Sequence, residues 1–251
     1  MKASILPLVL MTAALATATA SPGLAQIPDK FTNLKVLPKD TTREQLVPIM
    51  RSFADALGVR CSHCHVNTKP EDLKTFDFAS DDKETKRVAR VMMRMTTEIN
   101  AHLLPETGRT PLRTVQCMTC HHGLAQPEQL VDVLDATFRK DGVEAALKQY
   151  GELRDKYYGQ AAYDFSMRTL NMLAERLGHE KNFDAAIAVQ EFNVKIDPGI
   201  ASTHSLLADL YLGKGDRAAA RANFEKAVAL EPGSAYYKQR LQEMSASPSP
   251  R

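Results

Sequence analysis

The sequence predicts an all-α protein, and two observations carry the prediction. Apolar residues recur at Leu46, Ile49, Met50, Phe53 and Leu57, which is one face of a helix. The same spacing returns 42 positions later at Val88, Val91, Met92, Met95 and Ile99. Beyond about residue 142 a second period takes over, with small and large packing residues repeating every 34 positions. The 251 residues suffice for one medium domain or two small ones. At 44% hydrophobic and 25% charged, the chain has the composition of a folded globular protein. A net charge of +2 supplies neither a basic stripe for nucleic acid nor a polybasic membrane anchor. Tryptophan is absent and aromatics are sparse, so the core calls for another source of bulk.

The chain opens on a processing segment, residues 1–25. Lys2 gives a positive start, Ile5 to Leu15 a short apolar run, and Ala18-Thr19-Ala20 or Gly23-Leu24-Ala25 a small-residue cleavage site. The run is too short to span a bilayer. The expectation is an exported, periplasmic protein whose mature chain is not stably inserted in a membrane.

Next comes a helix. Thr41 with Glu44 reads as a capping box, and Gly58 closes the apolar face. Pro48 should kink this helix or push its start to about Gln45. Asp81 and Glu84 mark an acidic start for the second helix, and a connector over 100–116 follows it.

Each helix precedes a cysteine pair. The four cysteines stand as Cys61-Ser62-His63-Cys64-His65 and Cys117-Met118-Thr119-Cys120-His121. In c-type haem attachment two thiols add across two vinyl groups, and the adjacent histidine binds the iron. Cys61, Cys64, Cys117 and Cys120 are thus expected to tether two haem c groups, with His65 and His121 as proximal ligands. A four-cysteine zinc site usually separates its pairs by about 15–20 residues, far fewer than lie between Cys64 and Cys117. A disulfide framework would not require histidine after both pairs. Met50 and Met92 occupy matched places before the two motifs. A thioether is a soft iron ligand, but methionine on an apolar stripe also serves as core filler.

Residues from about Phe31 to Pro127 resemble the cytochrome subunit of photosynthetic reaction centres, and most closely that family's C-terminal pair of haems. Ala56-Leu57-Gly58-Val59-Arg60 with the first motif is similar to the third haem unit. Glu98-Ile99-Asn100 with the second motif, His122 and Gly123 is similar to the fourth. The resemblance implies that Met50, eleven residues before Cys61, is the distal ligand of the first haem. In the family the fourth haem takes its distal ligand from a histidine in the N-terminal half, which has no counterpart here. Met92 is the expected replacement, Met95 the alternative one turn on, and His63, His102 or His122 would give a bis-histidine site.

Pro127 opens a further amphipathic helix through Leu130, Val133, Leu134 and Phe138. Leu207, Ala208, Tyr211, Gly215, Ala220, Phe224, Ala227 and Pro232 then fit the tetratricopeptide pattern. Leu173, Ala174, Leu177, Ala186 and Pro198 precede them by 34, and 142–157 reads as half of a degenerate unit. His179 and His204 are expected to be surface or packing residues. The expected organisation is a signal peptide (1–25), a di-haem cytochrome c domain (26–128), tetratricopeptide-like repeats (129–244) and a disordered Ser/Pro-rich tail (245–251).

The expected function is electron transfer between redox proteins, with a protein partner on the repeats as a further possibility and no nucleic acid. Two rivals stand beside it: a di-haem peroxidase-like enzyme with an open iron at the second haem, and a haem-containing scaffold or sensor acting through the repeats.

Overall fold

The computed structural model describes residues 27–245; the expected signal peptide and nearly all of the expected tail lie outside them. Two compact units are present. Among the described residues the first comprises 27–51 with 60–110, and the second comprises 52–59 with 111–245.

In the first unit, α1 (Arg43–Leu57) starts two residues earlier than Pro48 suggested and carries that proline within it. Its cap sits one position later than the expected box: the Thr42 amide donates to Gln45 Oε1 at 2.9 Å. A 3₁₀ turn (Cys61–His63) leads into a two-residue antiparallel ladder, β1 (Val66–Asn67) with β2 (Phe76–Asp77), pairing Val66 with Asp77 and Asn67 with Phe76. The loop then enters α2 (Glu84–Glu98). The connector expected from residue 100 is helical at its start: a π turn (Ile99–Leu103) passes into α3 (Leu104–Glu106). Pro105, in α3, follows the π turn with no break in the helical backbone.

The second unit holds α4 (Cys117–His121), α5 (Leu130–Asp141), α6 (Val143–Tyr157), α7 (Met167–His179), α8 (Phe183–Ile196), α9 (Ala201–Lys214), α10 (Arg217–Leu230) and α11 (Ala235–Ser245). The helices α5–α6, α7–α8 and α9–α10 pack as consecutive hairpins. The half unit expected over 142–157 therefore has its partner in α5, and the array reaches the three units a repeat core requires. Val131, not Val133, joins Leu130 and Leu134 in the core. Ala174, Ala186, Ala208 and Ala220 are fully buried, as the small positions of the repeat demand. A Cβ on Gly178 would stand 2.7 Å from Leu210 Cδ2, so a larger residue there would require the Leu210 side chain to shift.

A polar ladder crosses this apolar core. Gln190 Nε2 donates to Asn171 Oδ1 at 2.8 Å and to the Thr203 carbonyl at 2.9 Å. Asn193 Nδ2 donates to the Met167 carbonyl at 2.9 Å and to Asn171 Oδ1 at 2.8 Å. Buried amides left unpaired would be costly, so these bonds fix the register of α7, α8 and α9. His204 is buried with its ring nitrogens against Asn223 Oδ1 and the Pro198 carbonyl, whereas His179 is exposed. Among the described residues no helix is long and apolar enough to cross a membrane.

Candidate functional site

The first motif is a tight turn. The amides of Cys64 and His65 both donate to the Cys61 carbonyl, at 3.2 and 3.0 Å. Cys61 is exposed and Cys64 half-buried, and burial pushes the Cys64 thiol up. His65 is half-buried, and its Nδ1, shut off from solvent, has no hydrogen-bond partner. Phe78 packs edge-on against it, with ring centroids 5.0 Å apart. The His65 pKa is pushed down to about 4, chiefly by burial and then by the Lys86 charge, with Lys83 and Arg90 adding to it. The imidazole is therefore held neutral, the form in which it can bind a metal.

The second motif is helical. Gln116 caps α4: its amide donates to Thr119 Oγ1 at 3.0 Å, and its side chain accepts from the Thr119 amide. His122 ends the helix in the left-handed region at φ +48°, which turns the chain directly after His121. Here the exposure is reversed: Cys117 is half-buried, with its thiol pushed up by burial, and Cys120 is exposed. His121 Nδ1 lies 2.8 Å from the Leu124 carbonyl. That contact makes Nδ1 the protonated nitrogen and leaves Nε2 with a free lone pair.

These observations fit covalent haem. All four thiols are free, His121 has its tautomer fixed by the Leu124 carbonyl, and His65 is kept neutral. An apolar ring also needs apolar surface, and α2 offers it: Val88, Val91, Met92 and Met95 line one face and remain 37–50% exposed. Met50 is half-buried on α1 and belongs to the same unit as the first motif. Met92 and Met95 also belong to the first unit, whereas Cys117, Cys120 and His121 belong to the second. His63 is half-buried, while His102 and His122 are exposed; His102 Nε2 lies 3.8 Å from Glu98 Oε2, one helical turn back.

Two features escaped the sequence. Lys86 is a buried lysine on a helix whose composition reads as a solvated face, and no local signal reveals it. The close approach of Gly58 to Gly123 pairs positions distant in sequence; the only hint was a glycine beside each motif.

An all-α chain with two such motifs, a neutralised histidine and a tautomer-fixed one is a c-type cytochrome. Comparison with known proteins sharpens this. Residues 10–164 match the photosynthetic reaction centre cytochrome C subunit family, and the chain belongs to that family. Its haem is accordingly covalent haem c. The chain is also 31% identical to cytochrome c-554 of Chloroflexus aurantiacus over 91 residues, which is 36% of this chain and 20% of that protein. It thus spans about a fifth of the curated relative it matches. Among solved structures, the first TPR domain of human RPAP3 is similar (TM-score 0.33, 16% identity, 46% of this chain and 87% of that one). So is PcrH from Pseudomonas aeruginosa (TM-score 0.33, 17% identity, 47% and 89%).

Proposed function

We propose that this protein is a periplasmic di-haem cytochrome that passes electrons between redox proteins. The observation that carries the reading is the pair of motifs whose histidines are each prepared for iron, His65 by burial and His121 by the Leu124 carbonyl. Cys61 and Cys64 would hold one haem with His65 as proximal ligand, and Cys117 and Cys120 the other with His121. Each iron, when bound, cycles between ferric and ferrous states. The chain's own part is to supply axial ligands, bury the ring and keep the two sites distinct.

Met50 is the proposed distal ligand of the first haem. For the second, Met92 is proposed on the sequence repeat alone, with Met95 as the alternative. The domain boundaries at 128/129 and 244/245 are carried forward in the same way, and the repeat helices are a candidate surface for a protein partner. Export rests on the N-terminal segment and on the family's extracytoplasmic setting.

Redox-poised optical and paramagnetic resonance spectroscopy of the purified holoprotein tests the reading. Two low-spin haems with separate potentials, unaltered by cyanide, are expected. A single haem overturns the di-haem assignment. A high-spin ferric iron that binds cyanide or peroxide overturns the carrier reading in favour of peroxidase-like chemistry.

A further inference from the structure

The first turn of α2 grips the first haem motif and the loop beside it through three side chains. Lys83 Nζ donates to the Ser62 carbonyl, and the Thr85 hydroxyl donates to the His63 carbonyl at 2.5 Å. Lys86, only 8% exposed, donates to the carbonyls of Phe78, Ala79 and Ser80 at 2.9, 3.2 and 2.6 Å. The loop it holds carries Phe78, whose ring lies edge-on against His65 and stacks on Phe76 with centroids 5.4 Å apart.

Lysine is almost never this buried unless it is paired. Its nearest carboxylate oxygen, Asp81 Oδ1, stands 3.4 Å away, but Asp81 is already engaged by Lys35 at 2.5 Å and Arg90 at 2.6 Å. Asp81 is thus shared by three cations, Lys35, Lys86 and Arg90, and Asp77 on the same loop adds a weaker pull on Lys86. Burial pulls the Lys86 pKa down while Asp81 pulls it back. Three carbonyls and a carboxylate surround Nζ, so the ammonium form is the one whose donors are all used.

We propose that Lys86 is a positioning residue for the first haem, fixing the Phe78 loop against His65 and holding a buried positive charge that favours reduced iron. The inference rests on the di-haem reading above. Reduction adds one electron to the iron and lowers its charge by one, so a nearby cation opposes the ferric state more than the ferrous. Exposed charges are screened within about 10 Å in ordinary buffer, and a buried one is screened far less. The two roles reinforce each other, because the loop that orients His65 is held by the group that carries the charge.

The test uses the full-length holoprotein with potentiometric optical titration. The potential missing from a Cys61→Ala/Cys64→Ala variant belongs to the first haem. Lys86→Met should make that haem harder to reduce, shifting its ferric-to-ferrous ratio about tenfold towards ferric at fixed ambient potential, which is about 59 mV for one electron. Lys86→Arg should restore most of the shift. Asp81→Asn, which removes the anion and leaves the cations, should move the same haem in the opposite direction. Mere loosening of the loop would move both variants the same way, and that result overturns the proposal. An unmoved first-haem potential in Lys86→Met also overturns it. A first motif that carries no haem in the pyridine haemochrome assay overturns the functional reading and this inference together, whereas a loaded motif with unmoved potentials overturns this inference alone.

Discussion

Gly58 and Gly123 meet backbone to backbone. A Cβ on Gly58 would stand 2.1 Å from the Gly123 carbonyl oxygen, and the Gly123 amide donates to the Ala56 carbonyl at 2.9 Å. Gly58 also holds φ at +64°, a conformation that L side chains rarely adopt. In sequence, one glycine closes α1 just before the first motif and the other follows the second motif. Gly58→Ala should therefore cost about 3 kcal/mol, combining left-handed strain of about 1 kcal/mol with displacement of backbone. Gly159→Ala, also at positive φ but with no atom within 4 Å of its Cβ, should show only the strain. Thermal melts of the two variants check the difference.

The Asp81 carboxyl is held well below its ordinary value of 3.8, first by the hydrogen bond from Lys35 and then by those from Asn33 and Arg90. A carboxylate depressed in the folded state stabilises it above the unfolded value and loses that contribution as pH falls towards the folded one. The first unit should accordingly hold firm above about pH 4 and loosen progressively below it. Hydrogen exchange of the 77–82 amides across an acid titration reads this directly, and Asp81→Asn should flatten the response.

Removing a distal ligand opens an iron. Met50→Ala should convert the first haem from low-spin to cyanide-binding high-spin while leaving the second untouched. Of Met92→Ala and Met95→Ala, one should do the same to the second haem. If neither does, the second distal ligand is neither Met92 nor Met95. Electron paramagnetic resonance of the ferric proteins distinguishes these outcomes.

Leu173 is fully buried in the repeat core, whereas Leu230 is 41% exposed. Leu173→Ala should cost about 2–5 kcal/mol through lost apolar contact and a residual cavity. Leu230→Ala should stay within about 0.5 kcal/mol. Urea denaturation of both variants tests the assignment of the core.

Much of this was legible in the sequence because the chemistry is local. A Cys-x-x-Cys-His run packs two tethers and a ligand into five residues, and the Ala174/Ala208 and Ala186/Ala220 pairs record helix contacts at fixed spacing. What stayed hidden was non-local. Lys86 looks like any solvated lysine until the Phe78–Ser80 carbonyls close around it. α5 lacks the repeat's small-residue signature, so its partnership with α6 emerges only from packing. The π turn at Ile99–Leu103 had no periodic signal, because it adds a residue to a turn without changing the residue types.

The cysteines carry a consequence for how the protein is made. Cys61 and Cys120 are open to solvent, while Cys64 and Cys117 are half-covered by the folded chain. On the di-haem reading a thioether forms only where a vinyl group can reach the sulfur, so the two bonds of each pair would differ in access: Cys61 and Cys120 meet the ring from solvent, whereas Cys64 and Cys117 are met past the chain that half-covers them. The fold then ranks the two bonds of each site, the open thiol being the easier to join.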